Sequence, residues 1–244
     1  MKLRRFRRSA AFTHKELVVT IILLVIVSGL VIPWLRRSKL ISGRICCNCN
    51  LKQIGTAYRI WEQDHFGRFP VFDTNAGWNA EASITTAGAY CWTNYVILGD
   101  NLGASPLILV CPADEREPAS AFSNVVNNAF ISYFVGVLPG SSYAQGLLGG
   151  DRNLGSGFDP KDDYGFSPED GNGNSVTIQN PVCWSLKMHS GGKSGGMGNI
   201  LLGDGSAQQI DSKELRKNWI PNVLTTAQGD SPWTNLTAMR IIFP

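Results

Sequence analysis

A chain of 244 residues with 43% hydrophobic and 17% charged residues, 26 glycines and 12 prolines suits one turn-rich domain plus an appendage, and excludes two large domains or a mainly disordered chain. The formal net charge is +3, yet Lys2, Arg4, Arg5, Arg7 and Arg8 supply five of the 22 basic residues, so that beyond residue 11 there remain 17 against 19 acidic ones. So slightly acidic a body has no basic footprint for a phosphate backbone, and nucleic acid is not an expected partner.

Residues 1–11 form a short basic leader. Leu17 to Ile32 then reads LVVTIILLVIVSGLVI without a charge, and with its flanks it predicts a helix of membrane-spanning length over 12–35. A cleaved secretory signal would be followed by a small-x-small site, but Pro33, Trp34, Leu35, Arg36 and Arg37 follow here. A plain anchor has no use for Glu16, because an ionisable group in an apolar helix costs about 2.5–3.5 kcal/mol near the bilayer centre and less at its edge. Glu16 therefore calls for a partner.

Ala11-Phe12-Thr13-His14-Lys15-Glu16-Leu17-Val18-Val19 resembles the prepilin motif of type IV pilins and type II secretion pseudopilins: a small residue, Phe, and Glu four positions after the Phe. The resemblance implies cleavage between Ala11 and Phe12 by a prepilin peptidase, N-methylation of Phe12, and assembly with other pilin-like subunits into a pilus or secretion filament. It also implies that Glu16 neutralises the terminal ammonium of a neighbouring subunit and that the helix kinks at Pro33. The implied location is a bacterial inner membrane crossed once, with the head in the periplasm or on a cell-surface filament. The implied fold is α+β and pilin-like, a long N-terminal helix packed on a small antiparallel sheet, with no catalytic machinery.

Over 36–66 the helix is expected to continue, since Cys47, Leu51, Ile54, Tyr58, Trp61 and His65 fall on one helical stripe that reads as a face buried against the head. Gly67 and Pro70 end it. Cys47-Asn48-Cys49-Asn50-Leu51-Lys52-Gln53-Ile54-Gly55 resembles the C-x-x-N-L-K-Q-I-G segment of a pilin-like family abundant in planctomycetes, the DUF1559 type. His189-Ser190-Gly191-Gly192, Asn199 and Asp204-Gly205 resemble that family's H-G-G…N…DG ending. The head, 67–244, has short β-rich runs at 106–112, 129–135, 175–179 and 199–202 that predict antiparallel strands. Asp204-Gly205 predicts a type I′ hairpin turn, with His189 as a structural hydrogen-bonder. Residues 140–174, with Asp151, Asp159, Asp162, Asp163, Glu169 and Asp170, read as a solvated loop.

Cys46 and Cys49 make a C-x-x-C pair, but Cys91, Cys111 and Cys183 stand alone, which argues against zinc, and the pair's place within a helix argues against thioredoxin-like redox work. Six cysteines in an exported head suit disulfides; of the 15 pairings, Cys47 with Cys111 is preferred. Asp170-Gly171-Asn172-Gly173-Asn174 starts like a calcium loop but has Ser175 and Pro181 where an EF-hand needs Gly and Glu. No cofactor is expected, although a looser calcium site at Asp159, Asp163 and Asp170, as in some pseudopilins, stays open. Gly192-Lys193-Ser194 lacks the first glycine of a P-loop, and neither G-x-S-x-G nor H-E-x-x-H occurs. Two other readings remain: a membrane-anchored binder of polysaccharide or a surface ligand using Trp78, Trp92 and Trp233, and a membrane-tethered hydrolase built on His189 with Asp204 or loop carboxylates.

Overall fold

A run rich in Leu, Val and Ile from Leu17 to Ile32 sustains a single first helix. A computed structural model describes residues 13–72, 90–137, 144–178, 181–189, 195–219 and 240–244. In it α1 runs His14–Asp64, 51 residues, with Pro33 in its interior. Thr13 caps it with Glu16: the Thr13 hydroxyl and backbone N–H both donate to Glu16 Oε2 at 2.8 Å, and the Glu16 N–H donates back to Thr13 Oγ1 at 3.3 Å. This is a capping box, in which two N–H groups that the helix leaves unpaired find partners. The helix stops two residues before the expected Phe66, because Phe66 itself takes a left-handed φ of 55° and the Gly67 N–H returns to the Glu62 carbonyl at 3.0 Å, a Schellman closure.

The chain divides into two compact units between Ile41 and Ser42. In the first, His14–Ile32 is long and apolar enough to cross a membrane, with mean hydropathy 2.5 and none of it buried. The second is α+β. Its main sheet has six strands, β1 (Tyr133–Gly136), β2 (Leu147–Asp151), β4 (Asn174–Thr177), β6 (Met197–Leu202), β7 (Ala207–Asp211) and β8 (Arg240–Phe243), in the order β4-β8-β1-β2-β6-β7. Every pairing in it is antiparallel, and β3 (Leu154–Ser156) pairs with β5 (Val182–Trp184) in a separate two-stranded sheet. Two further helices are α2 (Cys91–Ile97) and α3 (Ser212–Glu214), the latter capped by Asp211 and continued as a π-turn over Leu215–Trp219.

Alternation along the strands sends side chains to two cores. Tyr133, Val135, Leu148, Leu201 and Ile242 pack with Cys47, Leu51, Ile54 and Tyr58 of α1 and with Tyr95 and Cys91 of α2. Phe134, Ile200, Leu202, Ile241 and Phe243 pack on the opposite face with Leu154, Val182 and Trp184 of the small sheet and with Leu215. The stripe on α1 thus buries its first four members fully, while Trp61 and His65 stack on each other, ring centroids 3.6 Å apart, at the half-exposed end.

Several expectations need correcting. Pro106–Leu109 is a 3-10 turn rather than a strand: proline's fixed φ starts a helical turn that buries Pro106, Ile108 and Leu109 and exposes Leu107. In the 129–135 run, Asn128–Phe130 is likewise a 3-10 turn, capped by the Asn127 side chain, and the strand begins only at Tyr133. Residues 140–174 contain β2 and β3 and a fully buried Asp151, not just a solvated loop. The hairpin at Asp204-Gly205 joins β6 to β7 as expected. Among its loop residues, however, only Gly205 has positive φ (84°), and the Gly205 N–H donates to the Leu202 carbonyl. That is a three-residue loop with a left-handed glycine rather than a type I′ turn, which needs positive φ at two residues.

Candidate functional site

Four donor side chains from distant parts of the second unit meet between α1 and the sheet. Cys47 comes from the buried stripe of α1, Cys111 follows the 3-10 turn at Pro106–Leu109, Asp151 ends β2, and His189 lies in the connection from β5 to β6. All four are essentially inaccessible, and one ligand atom from each lies within 4.8 Å of the others. Cys47 Sγ donates to Asp151 Oδ1 at 3.0 Å, Cys111 Sγ is 3.2 Å from His189 Nε2, and the same Nε2 is 3.4 Å from Asp151 Oδ2.

A surrounding layer holds these groups in place. Asn199 donates from its backbone N–H (2.6 Å) and from Nδ2 (2.9 Å) to Asp151 Oδ2. The Ala113 N–H points at Cys111 Sγ from 3.4 Å. The Tyr133 hydroxyl, opposite Asp151 in the β1–β2 register, lies 3.4 Å from Cys47 Sγ and accepts from Asn50 Nδ2 at 3.4 Å. Met188, just before His189, has a left-handed φ of 58°, a conformation that costs a non-glycine residue about 1–3 kcal/mol and that aims the imidazole inward.

The electrostatics follow from burial and mutual contact. Burial, then Cys111 and the Asp151 carboxylate, push the Cys47 thiol well up. The hydrogen bond from Cys47 and the contact with His189 outweigh burial at Cys111 and bring its thiol down to about 7. Burial raises the Asp151 carboxyl against the opposing pull of His189. At His189 burial works to lower the imidazole, but Asp151 and Cys111 outweigh it and raise it. Burial and mutual contact thus drive the two thiols apart, Cys47 up and Cys111 down.

A Cys-His-Asp set invites comparison with a nucleophilic triad, in which the base uses one ring nitrogen on the nucleophile and the other on the carboxylate. Here both Cys111 and Asp151 face Nε2, and Nδ1 has no hydrogen-bond partner among the described residues. The donors converge on a point instead of forming a relay.

Of the residues singled out in the sequence, Cys47 and Cys111 are brought together, but as free thiols rather than as the expected disulfide. Cys46 and Cys49, the C-x-x-C pair, are exposed. His189 meets Asp151 and Cys111, whereas Asp204 is exposed and accepts from the Ser206 N–H at 2.8 Å. Asp159, Asp163 and Asp170 do not join into a donor group among the described residues: Asp163 and Asp170 cap their own turns, accepting from Gly165 and Asn172. Glu16 is engaged with Thr13. Trp92 is partly buried against the core. Ala11, Phe12, Trp78, Trp233 and the Gly192-Lys193-Ser194 stretch lie outside the described residues.

Sequence reading placed Asp151 only among the loop carboxylates, and missed Tyr133 and the role of Asn199. The available signal was the helical stripe, which selects Cys47 and turns Cys46 and Cys49 outward. In comparisons with family models, curated proteins and solved structures, the chain matches none.

Proposed function

We propose that the chain is a pilin-type subunit: clipped between Ala11 and Phe12 by a prepilin peptidase, held in a bacterial inner membrane by one helix, and assembled through residues 12–35 into a type IV pilus or type II secretion-like filament with its α+β head outside the cytoplasm. The observation that carries this reading is the apolar helix His14–Ile32, fully exposed along its length and headed by the Phe12…Glu16 spacing. Leu24, Val25 and Leu30 are 67, 65 and 71% exposed. Burying one such side chain is worth about 1.5–3 kcal/mol, so the helix requires lipid or neighbouring helices around it. The capping box adds that the Glu16 carboxylate sits at the N-terminal end of the helix, held by the Thr13 hydroxyl and N–H.

The test is mass spectrometry of the N-terminal peptide from membranes of cells that co-express the chain with its prepilin peptidase. A peptide starting at N-methylated Phe12 supports the reading. A chain that keeps residues 1–11 overturns it in favour of a plain anchor, and one starting beyond Leu35 makes the apolar run a discarded signal.

A further inference from the structure

We propose that Cys47, Cys111, His189 and Asp151 form a binding site for one divalent metal ion of the zinc class, held by two sulfurs, the imidazole Nε2 and a carboxylate oxygen. In a tetrahedral zinc site with metal–sulfur bonds of about 2.3 Å and metal–nitrogen or –oxygen bonds of about 2.0–2.2 Å, neighbouring donor atoms lie roughly 3.3–3.8 Å apart. Cys47 Sγ lies 3.0 Å from Asp151 Oδ1 and Cys111 Sγ 3.2 Å from His189 Nε2, a few tenths of an ångström short of that figure, and one ligand atom from each of the four residues lies within 4.8 Å of the others. A shift of a few tenths of an ångström would open room at the centre. Two sulfurs, one imidazole nitrogen and one carboxylate oxygen suit zinc and disfavour calcium or magnesium, which take oxygen donors.

Two features suit an ion. Nε2 faces both Cys111 Sγ and Asp151 Oδ2, so its lone pair can point at a metal flanked by both. Asp151 is wholly buried, and a buried carboxylate is costly unless a cation or several donors meet it. The surrounding layer matches what metal ligands require: Asn199 fixes the carboxylate through two donors, and the Ala113 N–H and Tyr133 hydroxyl address the two sulfurs. Binding releases the remaining thiol protons to solvent, leaving two thiolates, a carboxylate and a neutral imidazole around the divalent ion, with no electron transfer. The ligands are 47, 111, 151 and 189 in sequence, so one ion would tie α1 to three separate segments of the second unit.

The experiment uses the full chain, purified in detergent without chelators. Zinc is counted by mass spectrometry, and cobalt(II) is then substituted and its visible and near-ultraviolet spectrum recorded. One zinc per chain is expected, with tetrahedral cobalt d–d bands and a thiolate-to-cobalt charge-transfer band. Cys111→Ser should lose the metal, Cys49→Ser should keep it, and Asn199→Ala should weaken zinc binding about 10–100-fold. If Cys111→Ser does not fold, the cobalt spectrum of the unaltered protein decides alone. Three results would overturn the proposal: cobalt without thiolate charge transfer, metal content unchanged in a folded Cys111→Ser, or a Cys47–Cys111 disulfide recovered from freshly isolated, alkylated protein. None of these depends on whether residues 1–11 are removed.

Discussion

At the residue scale, the second unit contains a buried ion pair whose contribution depends on pH. Arg152 grips Asp114 with two bonds, Nε to Oδ2 at 2.8 Å and Nη2 to Oδ1 at 2.9 Å, and its guanidinium lies 3.4 Å over the Tyr164 ring. Burial alone would raise the Asp114 carboxyl, but Arg152 outweighs it and holds the group below its ordinary 3.8. The folded value is thus the lower one, so the pair's contribution is complete above the unfolded value and disappears as pH falls through the folded one. Both side chains are nearly inaccessible, and Asp114→Asn, which leaves Arg152 buried and unpaired, is expected to cost about 3–5 kcal/mol at pH 7. Denaturant melts from pH 7 to 2 on wild type and variant measure this, and the difference between them should shrink below about pH 4. Glu16 belongs to the same scale. If the chain is the filament subunit proposed above, Glu16→Leu, which makes the helix more apolar, should leave membrane insertion in place and abolish incorporation into filaments; comparing membrane and sheared-filament fractions by immunoblot reads both.

At the scale of elements, α1 meets the β6–β7 hairpin at a glycine. A Cβ at Gly55 would lie 2.7 Å from Leu201 Cδ1 and 2.8 Å from the Gly205 carbonyl oxygen; the leucine tip can move, the backbone oxygen cannot without dragging the hairpin. Replacing a helical glycine by alanine gains up to about 1 kcal/mol from propensity, and overpacking costs about 1–3 kcal/mol. The clash wins: Gly55→Ala should destabilise by about 1–2 kcal/mol, while Gly43→Ala, with nothing within 4 Å in the same helix, should stabilise by about 0.5–1 kcal/mol. Chemical denaturation of the two variants checks the opposite signs. Close approach also explains what the sequence concealed. The 3.6-residue stripe made α1 legible to within two residues of its end, and Asn199-Ile200-Leu201-Leu202 made β6 legible. But Leu147-Leu148-Gly149-Gly150-Asp151 looks like loop, and is β2 because a Cβ at Gly150 would sit 2.7 Å from both the Asn199 carbonyl oxygen and Phe134. The glycines that argue against a strand are those that let β1 and β6 close in on it. The donor cluster was half legible for a similar reason: Cys47, Cys111 and His189 stood out as residue types, but no spacing links them, and Asp151 was hidden among the acidic residues of an apparent loop.

At the scale of the whole molecule, the division at Ile41 and Ser42 separates two solvation problems. The first unit exposes a run of Leu, Val and Ile that water cannot accommodate, whereas the second buries both faces of its sheet and keeps its donors, ion pair and chain end internal. Arg116 holds that end: it donates from Nη1 to the Asn128 and Ile131 carbonyls and from Nη2 to those of Pro168 and Pro244, just past β8, the strand next to the β4 edge of the sheet. Among the described residues, the core clusters of the second unit draw their α1 members from Cys47 onward. A chain of residues 42–244 should therefore be soluble without detergent and melt within a few degrees of the full protein. What it loses is the exposed apolar helix, and with it membrane association and any filament contact through residues 12–35. A fragment that aggregates or melts far lower would mean that residues before Ser42 stabilise the head, and that the anchor and the head are one folding unit rather than two.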